Sequence, residues 1–184
     1  MPDATDPNFL LTGPPGCGKT TVIRRLIERL ADRRLAGFYT QEIREHGQRI
    51  GFEVVGLSGQ RAILAHVRSK SKVRVGRYGV EAEQLRPLVE TELVNPVGAV
   101  DAFVIDEIGK MELLCSAFVA TLPRLFDGVV PVVATVAMKG SGLIATVKAR
   151  RDVTIIQVAN DNRDRLPEEL EQWLRERLLP GSQL

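Results

Sequence analysis

The chain has 184 residues, 44% of them apolar and 26% charged, enough for one well-buried core and too few for two full domains. Its 25 basic and 23 acidic residues nearly cancel, which gives no reason to invoke a polyanionic partner such as nucleic acid. Cys17 and Cys115 lie far apart without metal-type spacing, and there is no charged-then-apolar leader and no apolar run of about 18 residues, so a reduced, cytoplasmic, membrane-free protein is expected.

Residues 9–12 read as the end of a short buried strand, and residues 19–34 carry Val22, Ile23, Leu26, Ile27 and Leu30 on one helical stripe. From 37 to 67 the pattern is extended, with Ile50, Phe52 and Val54 alternating against polar neighbours and turn chemistry at His46-Gly47 and Ser58-Gly59. This predicts a three-stranded antiparallel meander inserted after the first helix. Residues 68–79, "RSKSKVRVGRYG", are basic and glycine-punctuated without a period, and are expected to form a mobile surface loop. A helix is expected over 81–94, ending before Asn95-Pro96. Apolar runs of strand length at 102–105, 129–136 and 153–158 then alternate with helical patterns at 112–126, 142–150 and 167–178. That alternation specifies an α/β fold, a mainly parallel sheet flanked by helices. No repeat or linker divides the chain, so 1–184 is expected to be one domain with "PGSQL" as a tail.

Between the first strand and the first helix stands "GPPGCGKTT", which fits G-x-x-x-x-G-K-S/T in the strand–turn–helix context that gives the pattern meaning. Gly13, Pro14, Pro15, Gly16, Cys17, Gly18, Lys19, Thr20 and Thr21 are the nucleotide-binding candidates. Gly16 and Gly18 can take positive φ and carry no side chain to obstruct phosphate oxygens, so backbone N–H groups can point at the anion. The helix N-terminus adds partial positive charge. Lys19 is expected to bridge the β- and γ-phosphates, and the Thr20 hydroxyl to ligate Mg²⁺. Cys17 is either an oxidant-sensitive thiol at a helix start or a small filler.

A second acidic site follows from "AFVIDEIGKME", where Asp106 and Glu107 emerge at the carboxyl edge of a buried strand. Asp106 is expected to hold Mg²⁺, directly or through water, and Glu107 to polarise the attacking water. The competing reading makes one of them a cap for the helix at 112–126. Weaker candidates are Thr135 as a sensor of the γ-phosphate, and Lys110, Arg44, Arg77 or Arg163 as a charge-stabilising finger. Asn162 and Arg163 are candidates for framing the base or ribose, while Asp164 either joins them or caps the last helix, with Pro167 in its first turn. His46 and His66 read as turn and strand-surface residues.

The stretches "GPPGCGKTT", "GFYTQEIRE", "IGFEVV", "VGRYGVE", "VIDEIGKMEL" and "NRD" occur in an order and spacing that resembles the THEP-type, or cancer-related, nucleoside-triphosphatases over nearly the whole chain. The resemblance implies a RecA-like P-loop fold and slow, Mg²⁺-dependent hydrolysis of ATP, GTP and other nucleoside triphosphates. Lys19 and Glu107 are the catalytic candidates; the resemblance implies Gly13 to Thr20 as the phosphate loop, Asp106 and Glu107 as the Walker B pair, and Asn162 to Asp164 as a late motif. One departure is "MKGSGLI" at 138–144, where many members carry His or Arg beside a proline, so no catalytic or base-contacting group is assigned there.

Two other classes use a phosphate loop. A nucleotide or nucleoside kinase would add an acceptor site and a basic lid, for which 68–77 is the candidate. A regulatory GTPase would use Asp106 to Gly109 as its D-x-x-G, but its guanine-reading N-K-x-D is missing.

Overall fold

The structure is a computed structural model that describes residues 6–178, and the expected tail lies outside the described residues. Nine strands form one sheet: β1 (Asn8–Thr12), β2 (Leu35–Glu45), β3 (Gln48–Gly56), β4 (Arg61–His66), β5 (Arg74–Val75), β6 (Tyr78–Val80), β7 (Ala102–Ile108), β8 (Val132–Val136) and β9 (Val153–Gln157). Their order is β5-β6-β4-β3-β2-β7-β8-β1-β9. The strands β2, β7, β8, β1 and β9 run parallel, whereas β3, β4, β6 and β5 extend the sheet antiparallel.

The inner parallel strands β7, β8 and β1 are largely apolar because both faces are covered. On β1, Phe9 and Leu11 join Val22, Ile23 and Leu26 of α1 (Lys19–Arg29) and Leu170, Trp173 and Leu174 of α5 (Leu166–Arg177). The Phe9 and Trp173 rings meet edge to face with centroids 4.3 Å apart. Leu10, alternating to the opposite face, joins Phe38, Leu88 of α2 (Arg86–Val89), Phe118 and Phe126 of α3 (Ser116–Phe126) and Ile144 of α4 (Leu143–Lys148). None of the described helices is long and apolar enough to cross a membrane.

The meander is continuous with the central sheet. The first residues of β2 pair in parallel with β7, from Leu35↔Ala102 to Phe38↔Ile105, and the strand then continues antiparallel to β3. This carries the meander past the end of β7, over the acids that β7 delivers.

Several expectations need correction. The segment 68–79 is not simply a loop: β5 and β6 form a small hairpin, Arg74↔Gly79 and Val75↔Tyr78. Strands this short have no readable period, and the hairpin is held by Tyr78, whose ring lies 5.1 Å from that of Phe52. The helix over 81–94 is a 3₁₀ turn (Ala82–Leu85), α2 and a π turn (Glu90–Val94). Pro87 cannot donate a helical hydrogen bond, and Glu92 is turned inward to accept from the N–H groups of Gly37 at 3.2 Å and Ser58 at 2.8 Å. The pattern at 112–126 divides into a 3₁₀ turn (Glu112–Leu114) and α3, with Cys115 extended between them. The first helix stops at Arg29 rather than at 34. The run at 129–136 enters the sheet only at Val132, after Pro131, which has no N–H for a ladder.

Candidate active site

The turn from β1 into α1 is built by its glycines. Gly16 has φ 78° and Gly18 φ 106°, a region that L side chains rarely adopt. Gly18 is the N-cap of α1 and supplies no side-chain cap, so the N–H groups of the first turn are left for another acceptor. Lys19 lies back over the loop, its Nζ donating to the Gly13 carbonyl at 3.1 Å. Cys17 packs beneath the turn: a Cβ on Gly13 would come within 2.7 Å of its Sγ. Its place among the α1 and α5 residues fits the filler reading.

Asp106 sits at the end of β7 and is 1% exposed. The strand between β7 and β1 is β8, and its Thr135 hydroxyl donates to Asp106 Oδ1 at 2.7 Å. The Thr40 N–H approaches Oδ2 at 3.5 Å, while the Thr40 hydroxyl donates to the main-chain carbonyl of Asp106 at 2.6 Å. Burial pushes the Asp106 carboxyl above the usual range, against the hydrogen bonds of Thr20, Thr135 and Thr40 and the charge of Lys19. Glu107 is also shifted upward, first by burial and then by Asp106, with Lys19 opposing. Neither acid caps a helix, because α3 has Cys115 at its N-cap and no side-chain cap.

A cleft of about 520 Å³ joins these groups. Pro15, Gly16, Gly18, Lys19, Thr20 and Thr21 form one wall, Asp106 and Glu107 the floor, and Thr40, Gln41, Glu42, Arg49 and Phe52 of the meander the far wall. Arg24 and Arg49 are the basic side chains that line it besides Lys19. Sequence reasoning missed both, although Arg24 stands one helical turn after Thr20 on the same face. Arg49 donates to Glu42 Oε1 at 2.8 Å and to the Tyr78 hydroxyl at 3.0 Å, and stacks 5.0 Å from the Phe52 ring centroid.

The other finger candidates are placed elsewhere. Lys110 is exposed, Arg44 is held by Glu42 and the Gly47 carbonyl, and Arg77 donates to the Arg49 carbonyl. Thr135 is fully buried and committed to Asp106, so it steadies the acid instead of facing a phosphate. Arg163 lines a cavity of about 190 Å³ on the outer flank of the loop, with Gly18, Thr21, Val22, Arg25 and Asp164. Asp164 does not cap α5: it pairs with Arg25 at 2.9 Å, and Arg165 is the N-cap, with Pro167 in the first turn as expected. Asn162 is separated from this cavity. Its Oδ1 accepts from the Ala159 N–H and its Nδ2 donates to the Gln157 carbonyl, both at 2.8 Å, and it faces a groove along β9. No residue of 138–144 lines the cleft. His46 is a turn residue with φ 48°, and the Nδ1 of His66 on β4 accepts from the Arg68 N–H at 3.1 Å.

The oxygen donors fit Mg²⁺. Among the described residues no group of three or more His, Cys, Asp or Glu could cage a metal. A buried carboxylate beside a threonine hydroxyl supplies hard oxygen for an ion that keeps waters and takes its remaining ligands from phosphates.

The sequence matches the family described as NTPase over residues 8–171. It is 42% identical to the nucleoside-triphosphatase THEP1 of Natranaerobius thermophilus, over 95% of this chain and 99% of that protein. It is 40% identical to the cancer-related nucleoside-triphosphatase homolog of Mus musculus, over 86% and 92%. The crystal structure of THEP1 from Aquifex aeolicus superimposes with a TM-score of 0.82 at 31% identity, covering 91% of this chain and 98% of that one. The solution structure of a human cancer-related nucleoside triphosphatase gives 0.78 at 34% identity, covering 92% and 97%. Together with the phosphate loop and the acid pair at the end of β7, these likenesses establish that the chain belongs to the THEP1-type nucleoside-triphosphatase family.

Proposed function

We propose that the chain hydrolyses nucleoside triphosphates to the diphosphate and phosphate, with Mg²⁺ and across several bases. The observation that carries this reading is the shared cleft, in which Lys19, Thr20, Asp106 and Glu107 face one space beside the open N–H groups of α1. The glycine turn and the helix start bind the β-phosphate, and the Lys19 amine, released from the Gly13 carbonyl, meets oxygens between the β- and γ-phosphates. Thr20 and Asp106 hold Mg²⁺, which when bound neutralises charge on the phosphate oxygens. Glu107 orients a water in line with the γ-phosphorus and accepts its proton, a task suited to a carboxylate shifted upward by burial. The meander wall bounds the site on the water side, and Arg24 and Arg49 add positive charge there. Arg163, which lines the cavity beside Gly18 and Thr21, contacts the ribose or base.

The two free cysteines agree with a reducing, cytoplasmic setting. The purified chain is to be incubated with Mg²⁺ and each triphosphate alone, then with added nucleosides or nucleoside monophosphates. Phosphate released to water from several triphosphates supports the proposal. Transfer that appears only with an acceptor makes the protein a kinase instead. Lys19→Ala should lose binding and turnover together, and normal nucleotide affinity in that variant would remove the phosphate-loop assignment.

A further inference from the structure

The wall opposite the phosphate loop is a piece of sheet, so its register places its side chains. Residues two apart on a strand share a face, and Thr40, Glu42 and Phe52, the partner of Glu42 across the strands, lie on one of them. Thr40 meets Asp106 through its N–H and its hydroxyl, so Glu42 and Phe52 stand about 7 Å farther along the sheet from the acids. Arg49, beyond the irregularity at Ile43–Arg44, reaches back over this step. Its Nη1 donates to Glu42 Oε1 at 2.8 Å, its Nε donates to the Tyr78 hydroxyl at 3.0 Å, and its guanidinium carbon lies 5.0 Å from the Phe52 ring centroid. The guanidinium therefore hangs one residue pair beyond the acids, on the wall that faces Lys19 across the cleft.

Three features suit this group to charge that develops during reaction. Glu42 is shared, because its Oε2 pairs with Arg44 at 2.6 Å, and one carboxylate against two guanidiniums leaves the wall net positive. Among the described residues the Nη2 of Arg49 has no hydrogen-bond partner, so part of the donor fork is open where the side chain lines the cleft. The fork is also fixed in advance. Phe52 beneath it packs on Tyr78 with centroids 5.1 Å apart, and Arg77 covers the Tyr78 ring at 5.2 Å and donates to the Arg49 carbonyl. A donor already in place needs no reorganisation when the charge appears. Arg24 differs: it is exposed on α1, lies 5.5 Å from the Tyr39 ring centroid and forms no ion pair among the described residues. Ordering that side chain on a phosphate costs rotamer freedom, which suits it to binding the nucleotide rather than to the chemical step.

We propose that Arg49 is a catalytic residue, the arginine that stabilises charge on the terminal phosphoryl group during hydrolysis, supplied from within the chain by the meander. In that step the water oxygen bonds to the γ-phosphorus, and the bond from that phosphorus to the bridging oxygen breaks with its electron pair leaving on the diphosphate. The water proton passes to Glu107. Arg49 keeps all its protons and donates its open N–H groups to γ-phosphate oxygens. The inference rests on the reading of the cleft as the place of triphosphate hydrolysis.

The test compares the parent with Arg49→Ala, Arg49→Lys, Tyr78→Phe and Arg44→Ala. Each is measured for phosphate release from ATP with Mg²⁺ and for affinity toward a fluorescent non-hydrolysable ATP analogue. Affinity toward ADP with Mg²⁺ and aluminium fluoride, a mimic of the phosphoryl group in transfer, and melting temperature complete the set. Arg49→Ala should lower turnover by about 10²- to 10³-fold and weaken the aluminium fluoride complex comparably, with affinity for the ATP analogue within about three-fold of the parent. Arg49→Lys keeps the charge without the fork held by Glu42 and Tyr78, and should recover only part of the loss. Tyr78→Phe leaves the guanidinium but frees its Nε, and should show a smaller loss with the same split between analogue and aluminium fluoride. Arg44→Ala removes an equal charge and another partner of Glu42, and should stay within a few-fold of the parent. Parental turnover in Arg49→Ala overturns the inference, as do equal losses of analogue and aluminium fluoride affinity, an equal loss in Arg44→Ala, or losses that follow the melting temperature. Should Arg49→Ala not fold, parental turnover in both Arg49→Lys and Tyr78→Phe overturns it, and turnover falling with aluminium fluoride affinity alone supports it. If the parent releases no phosphate from ATP, the reading of the cleft has failed and the role of Arg49 with it; if the parent hydrolyses ATP and Arg49→Ala does so equally, only the role of Arg49 has failed.

Discussion

Asp106 and Glu112 are both buried acids that burial shifts upward, but the groups around them differ. Around Asp106 the fold collects hydroxyl and N–H donors, Thr135 and Thr40 among them, that favour a charged carboxylate awaiting a cation. Around Glu112 it collects other acids and no cation among the groups that act on it most, which favours the neutral form. That difference has a consequence for stability. A carboxyl of ordinary value 4.5 that rises to about 8 on folding holds a proton in the native state that the unfolded chain has already lost. Between those two values the native state binds more protons, so stability must fall as pH rises through the window and level off above about 8. Glu112→Gln has no such proton to lose. Without nucleotide, its melting temperature relative to the parent should therefore climb from weakly acidic to weakly alkaline pH, and a difference flat across that range would show that Glu112 is ionised throughout.

The loop after β9 shows how an element can imitate a site. Asn162 follows the last strand where a base-contacting residue would be welcome, yet both ends of its amide are tied to main chain, at Ala159 and Gln157. Its work is to set the loop that presents Arg163 and Asp164 beside Gly18. Asn162→Ala should lower stability by about 1 kcal/mol and leave nucleotide affinity within about two-fold. A large loss of affinity at unchanged stability would restore Asn162 to the binding site. The phosphate loop and the acid pair were legible in the sequence because their chemistry is local: a glycine turn fixes its own backbone, and a strand delivers whatever follows it. The partners of Asp106 were less so. Thr40 and Thr135 stand 66 and 29 residues away from it, and only the order β2-β7-β8 makes them neighbours. The β5–β6 hairpin was hidden for another reason, since two- and three-residue strands carry no period and depend on Tyr78 meeting Phe52.

At the scale of the molecule, the parallel half of the sheet carries the phosphate loop and the acids, and the antiparallel half supplies the opposite wall. The sequence marks the meander as an insertion because its alternation differs from the buried runs around it. What it hides is that β2 belongs to both halves, which ties the wall rigidly to the floor. Unfolding should accordingly be a single event. Trp173 packs on Phe9 and reports the face covered by α1 and α5, whereas far-UV circular dichroism reports all strands. The two signals should trace one transition in urea, and an earlier loss of dichroism would mean that the meander opens as a separate unit. The proposed hydrolysis turns on a division of labour between neighbouring acids, Asp106 for the metal and Glu107 for the water. Glu107→Gln keeps size and spares Asp106, so its affinity for ATP with Mg²⁺, measured beside phosphate release on one preparation, is the most direct test. The account predicts parental binding with turnover lowered by about 10²- to 10⁴-fold; hydrolysis within a few-fold of the parent, or loss of nucleotide binding, would contradict it.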